Sequence, residues 1–266
     1  MGIKLSISNI AWEENNDDSV YTYLQNRCYD GIEIAPSKIF GALPYEDLQA
    51  AICFRDKIKN DYKLNICSIQ SIWFGKTEKM FASAEDRKEL KEYTKKAIVF
   101  AEAIGAGNLV FGCPKNRNIN SHSDRELAID FFKELGEYAN YHNTVLSLEA
   151  NPKIYGTNYI NFTKEAIDVV RTVDSDGFKL NLDFGTIIEN GEDLVAVEKN
   201  IDIINHVHIS EPHLNLIEER AIHCDLIRLL EKNNYDGYVS IEMKKQEDIA
   251  LVYKTIDYLV SITKEL

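Results

Sequence analysis

The chain has 266 residues, 45% of them hydrophobic, and a formal net charge of −13. That length suits two small domains or one large barrel, with enough apolar material for a full core. The acidic balance argues against nucleic acid, whose binders neutralise phosphates with Lys and Arg.

Five cysteines (Cys28, Cys53, Cys67, Cys113, Cys224) are scattered, with no C-x-x-C pair. They read as reduced thiols in a cytoplasmic protein. No run approaches the roughly 18 apolar residues of a membrane span, so no membrane partner is expected. The start MGIKLSISNI lacks a signal peptide's long apolar region. It matches the loose myristoylation pattern at Gly2 and Ser6, but reads better as a buried first strand.

In chain order, short apolar runs predict strands over Ile3–Ser8, Gly31–Ile34, Leu64–Ile69, Leu109–Gly112, Thr144–Glu149, Phe178–Asp183, Ile203–Ile209 and Tyr238–Glu242. Amphipathic stretches between them predict helices over 17–27, 45–60, 84–104, 123–141, 162–173, 191–200, 219–232 and 247–262. Ser123 or Asp124 is placed to cap a helix, and Gly105 or Gly107 to end one. Strict alternation implies a parallel sheet covered by helices. Eight units in this length suit an α/β fold, a single (β/α)8 TIM barrel over residues 1–266. An open doubly wound sheet usually shows a glycine-rich turn after its first strand, and SNIAWEENND has no glycine.

Alternate residues of a strand face opposite sides, and the last four strands repeat one pattern. Val145, Ser147 and Glu149 oppose Leu146 and Leu148, and Lys179, Asn181 and Asp183 oppose Phe178, Leu180 and Leu182. His206 and His208 oppose Val207 and Ile209, while Tyr238, Ser240 and Glu242 oppose Val239 and Ile241. A single carboxylate ending a strand is ordinarily a helix cap or surface ion pair. Four ionisable ends in register, Glu149, Asp183, His208 and Glu242, converge on a barrel interior that would desolvate them. Three carboxylates and one imidazole cannot neutralise one another, but a divalent cation can. The oxygen-rich set suits Mn²⁺ or Mg²⁺, with Zn²⁺ or Co²⁺ tolerated. Spacings of 34, 25 and 34 residues bring equivalent strand ends together. His206 points inward but deeper, as a hydrogen-bond donor behind the ligands.

The segments LSLEANP, LNLDFGT, HVHISEP and YVSIEM, with GIEIAP and SIQSIWFG earlier, resemble the xylose isomerase-like barrel superfamily, in its sugar phosphate isomerase/epimerase branch. The resemblance covers essentially the whole chain. To its ketose 3-epimerases it implies the ligands Glu149, Asp183, His208 and Glu242, with Glu149 and Glu242 also acting as acid and base on opposite faces of a sugar. Glu211 fits the position that grips a substrate hydroxyl. Two positions depart: Thr186 replaces a substrate-binding histidine, and Tyr155 a second glutamate that holds the sugar. The superfamily's apurinic endonucleases need further histidines, one of them where Thr186 stands.

Further candidates lie in loops after the strands. Trp12, Gln70, Trp73 and Phe74 could stack on or bond to a sugar, or merely roof the barrel. Lys115 and Arg117 could bind a substrate phosphate or carboxylate, and His213 and His223 could reach in from the seventh unit. The expectation is a metal-dependent carbohydrate isomerase or epimerase acting through an enediolate on a small-molecule sugar. A keto-inositol or keto-sugar dehydratase is the alternative within the enzyme class. A sugar-binding barrel without turnover is the alternative outside it. A homo-oligomer is compatible with the resemblance.

Overall fold

The structure, a computed structural model, describes residues 2–264. Its strands are β1 (Lys4–Ile7), β2 (Gly31–Ile34), β3 (Asn65–Ile69), β4 (Asn108–Phe111), β5 (Leu146–Glu149), β6 (Phe178–Asp183), β7 (Ile204–Ser210) and β8 (Tyr238–Glu242). Each pairs in parallel with its neighbour, in the order β1-β8-β7-β6-β5-β4-β3-β2. A parallel bridge between Ser8 and Glu33 completes the circuit. The eight-stranded barrel expected from the alternation is therefore present.

Around it lie α1 (Asp17–Asn26), α2 (Pro36–Phe40), α3 (Leu48–Tyr62), α4 (Ala84–Ile104), α5 (Asp124–Tyr141), α6 (Thr163–Val173), α7 (Phe184–Asn190), α8 (Val195–Glu198), α9 (Ala221–Lys232) and α10 (Ile249–Lys264). The helix expected over 191–200 is displaced. The chain enters α7 directly from β6, because the Asp183 carboxylate accepts the Thr186 N–H as an N-cap. Gly191, with φ of 62°, ends that helix, and α8 is only a short turn. No helix among the described residues is long and apolar enough to cross a membrane.

The core lies between sheet and helices. Leu146, Leu148, Leu180, Leu182, Val207, Ile209, Val239 and Ile241 are all buried there. The barrel interior is instead polar: Ser6, Glu33, Ser68, Asn108, Ser147, Asn181, His206 and Ser240 are buried inside. Branched apolar residues usually fill that space. The layer is cross-linked, with Asn108 donating to Ser68 Oγ at 2.9 Å and accepting from Ser147 and Asn205.

Register keeps the polar faces aligned. Between β6 and β7 the pairing runs Leu180 with Ile204 and then Asn181 with His206, so Asn205 is an extra residue. This irregularity places Asp183 beside His208 and lets Ser210 pair with Glu242. At the entry to β6, a Cβ on Gly177 would overlap the Gly136 carbonyl and the Asn140 backbone nitrogen. We expect Gly177→Ala to cost about 1–3 kcal/mol through overpacking, read as a lower denaturant midpoint with unchanged slope.

Candidate metal centre

At the carboxyl ends of β5 to β8, one atom each from Glu149, Asp183, His208 and Glu242 lies within 4.8 Å of the others. The sequence expectation placed these four together, and the structure does bring them together. His208 Nδ1 sits 3.1 Å from Glu149 Oε1, 3.3 Å from Glu242 Oε2 and 3.2 Å from Asn181 Nδ2.

Two of the three carboxylates, Glu149 and Asp183, are held by hydrogen-bond donors. Asn181 Nδ2 donates to Glu149 Oε1 at 2.8 Å, and Asn151 Nδ2 to Glu149 Oε2 at 2.8 Å. Asp183 Oδ2 accepts from the Thr186 N–H at 2.8 Å and the Thr186 hydroxyl at 2.7 Å, while Ser210 Oγ donates to Oδ1. Thr186 is fully buried and its hydroxyl also lies 2.9 Å from the Ala150 carbonyl. It braces Asp183 and does not line the cleft.

The electrostatics show crowding. Burial, together with the neighbouring Glu149 charge, raises the Asp183 pKa. Burial also raises Glu242, against the opposing pull of His208. Burial opposes charge on His208, yet Glu33 and Glu242 hold it well above the usual imidazole range. Such a cluster of acids around one imidazole is the donor set a hard divalent cation takes, and these residues fit one.

Above these four residues lies a cleft of about 170 Å³, lined by Gln70, Ser71, Val110, Gly112, Cys113, Pro114, Asn151, Tyr155 and Leu214, with Glu149, Asp183 and Glu242 at its floor. Of the substrate-binding candidates, Gln70 and Tyr155 line it. Exposed His213 packs edge-on to Tyr155, with ring centroids 6.2 Å apart. His206 lies beneath the four clustered residues, with Nε2 3.3 Å from Glu33 Oε2.

The remaining candidates lie outside the cleft lining. Arg117 is 0% exposed and binds the Glu149 carbonyl at 2.9 Å, Asn151 Oδ1 at 3.0 Å and the Ile160 carbonyl at 3.3 Å. It fastens loops instead of offering its charge. Lys115 is exposed on the rim. The Glu211 carboxylate is taken by Arg220, with two contacts of 2.7 Å. Trp73 is buried, donating to Thr94 Oγ1 at 2.8 Å and packing on Phe111. Trp12 is buried and donates to Asp17 at 2.7 Å, while Phe74 is 70% exposed. His223, in the first turn of α9, is buried against Phe184 and Tyr258.

Sequence reasoning missed Glu33. It is fully buried, with Oε2 3.1 Å from His208 Nε2. Burial works against its charge, but His208 and His206 hold it well below the usual carboxylate range. The signal was present: Glu33 alternates with Ile32 and Ile34, as the ligands alternate with apolar residues in later strands.

A sequence model of the family described as xylose isomerase-like TIM barrel matches residues 28–261. No curated protein matches the chain. Among solved structures, 3-keto-D-glucoside 4-epimerase from E. coli is 22% identical with a TM-score of 0.77, over 98% of this chain and 99% of that one. D-psicose 3-epimerase from Clostridium cellulolyticum H10 is 15% identical with a TM-score of 0.78, over 99% of each. A probable 3-DHS dehydratase from Bacillus anthracis is 18% identical with a TM-score of 0.70, over 98% of each. These likenesses show the shared fold.

Two outcomes follow from this geometry. A Cβ on Gly112 would stand 2.8 Å from Glu149 Oε2, so Gly112→Ala should weaken Mn²⁺ binding by roughly ten-fold or more, measured by titration. Burial lowers the His223 pKa to about 4, against a raising pull from Glu211. The unfolded chain therefore binds that proton more readily, and stability falls as pH drops from about 6.5 towards 4. His223→Leu should recover up to about 3 kcal/mol of that acid loss, read by urea unfolding at pH 7 and pH 4.

Proposed function

Because the chain belongs to the xylose isomerase-like TIM-barrel family, we propose that it is a divalent-cation-dependent isomerase or epimerase of a small, uncharged sugar or keto-sugar. The observation that carries this reading is the convergence of Glu149 and Glu242 on His208 Nδ1 beneath a cleft of mixed polar and apolar lining. A cation held by Glu149, Asp183, His208 and Glu242 would polarise a substrate carbonyl and stabilise the enediolate charge as it develops.

The protein's own groups supply the rest. One of Glu149 and Glu242 takes the proton from the carbon beside the carbonyl, and the other returns one to the opposite face. Asn151 and Asn181 donate to both Glu149 oxygens and so fix that carboxylate's plane. Burial raises the proton affinity of Glu242, against the pull of His208 Nδ1 at 3.3 Å. Gln70, Asn151 and Tyr155 offer hydrogen bonds to sugar hydroxyls, while Val110, Pro114 and Leu214 present apolar surface to ring carbons.

The absence of charge on the substrate follows from the walls. Among the described residues, no lysine or arginine lines the cleft, and Arg117 is committed to three backbone and amide oxygens. A phosphate would enter a site already carrying several carboxylates, without a partner. Free ketoses and keto-glycosides, the substrate types named for two of the fold neighbours, fit better.

The test uses the Mn²⁺-loaded protein in D₂O with a panel of ketoses, 3-keto-glycosides and their phosphates. A neutral sugar should be recovered carrying deuterium beside its carbonyl, with an inverted centre or moved carbonyl, and the phosphates should be inert. Loss of water instead would mark a dehydratase, and no exchange with any sugar would mark a binding barrel. Glu242→Gln should cut exchange by about 10²–10⁴-fold; full activity in that variant removes its acid/base role.

A further inference from the structure

We propose that Glu33 is a positioning residue that dictates which nitrogen of His208 faces the cation, an inference that rests on the cation reading above. His208 Nδ1 faces the ligand carboxylates Glu149 and Glu242, while its Nε2 lies 3.1 Å from Glu33 Oε2 on the opposite side. An imidazole that ligates through Nδ1 must keep its hydrogen on Nε2, and a partner for that hydrogen fixes tautomer and ring orientation. In a dry interior that N–H also needs an acceptor, because an unmet buried donor is costly. Glu33, fully buried on β2, is that acceptor.

Glu33 is itself fixed. Its Oε1 lies 3.2 Å from Gln70 Nε2, which also reaches Ser8 Oγ at 2.5 Å. His206 Nε2 approaches Oε2 at 3.3 Å. Gln70 lines the cleft, so the carboxylate that orients the ligand also orients an amide that meets substrate. Contacts thereby link Ser8 just after β1, Glu33 on β2, Gln70 just after β3 and His208 on β7.

The experiment titrates the intact chain with Mn²⁺ and reads free ion by electron paramagnetic resonance, for the native protein, Glu33→Gln, His208→Ala and the double variant. We expect one bound ion and a 10- to 100-fold weaker affinity in a still-folded Glu33→Gln. In the His208→Ala background, Glu33→Gln should change the residual affinity by no more than about two-fold, because its effect passes through the imidazole. In ¹⁵N-histidine-labelled, Mg²⁺-loaded protein, His208 should carry its hydrogen on Nε2.

Equal affinity in Glu33→Gln and the native protein would overturn the proposal, as would the opposite tautomer. A full loss repeated in the His208→Ala background would show a general charge effect and overturn it too. So would a second bound ion lost with Glu33, which would make Glu33, His206 and His208 Nε2 ligands. Should Glu33→Gln not fold, Glu33→Asp decides, since its shorter reach must also weaken Mn²⁺ binding. A native protein that binds no Mn²⁺ removes the cation reading itself, and this inference with it.

Discussion

Four carboxylates and two imidazoles, Glu33, Glu149, Asp183, Glu242, His206 and His208, share the dry interior of one barrel, and the architecture answers to that crowding. In such surroundings like charges raise each other's proton affinity and unlike charges lock together. The molecule distributes the tension unevenly. Glu33 lies against both histidines and is held ionised, while Asp183 and Glu242, nearer the cleft, are pushed towards their neutral forms. The two ends of the cluster are thus pulled in opposite directions, the Glu33 carboxyl downwards and the Asp183 and Glu242 carboxyls upwards.

The polar interior extends this arrangement downwards. Serines and asparagines fill space that aliphatic side chains commonly occupy in such barrels, and they are cross-linked through Asn108. Small hydroxyl and amide groups leave the histidines room and supply dipoles around them. Hydrophobic stabilisation accordingly falls to the layer between strands and helices, where the aliphatic faces of β5 to β8 are buried. Stability and chemistry are separated by the two sides of each strand.

That separation explains what was legible in the sequence. A period of two, repeated in four strands, exposed the fold, the four strand ends and the inward place of His206, because each strand carries its own aliphatic counter-face. Glu33 escaped because GIEI is short and its single acid carried no partner in sequence; only the closed barrel brings β2 against β7. Lys115 and Arg117 were read by charge and Glu211 by its place in a resembling motif, and neither charge nor position reveals commitment. Arg117 is spent on carbonyls and Glu211 on Arg220, contacts made by loops whose paths strand periodicity does not encode. The helix after β6 was misplaced for a related reason, since Asp183 serves both as a strand end facing the cleft and as the first cap of α7.

The link from Glu33 to His208 spans 175 positions of chain, and it joins the second strand to the seventh. The His208 ring therefore meets its buried carboxylate partner only where the barrel has closed on itself. Orientation of that one side chain is thus a property of the whole circuit and of no single strand.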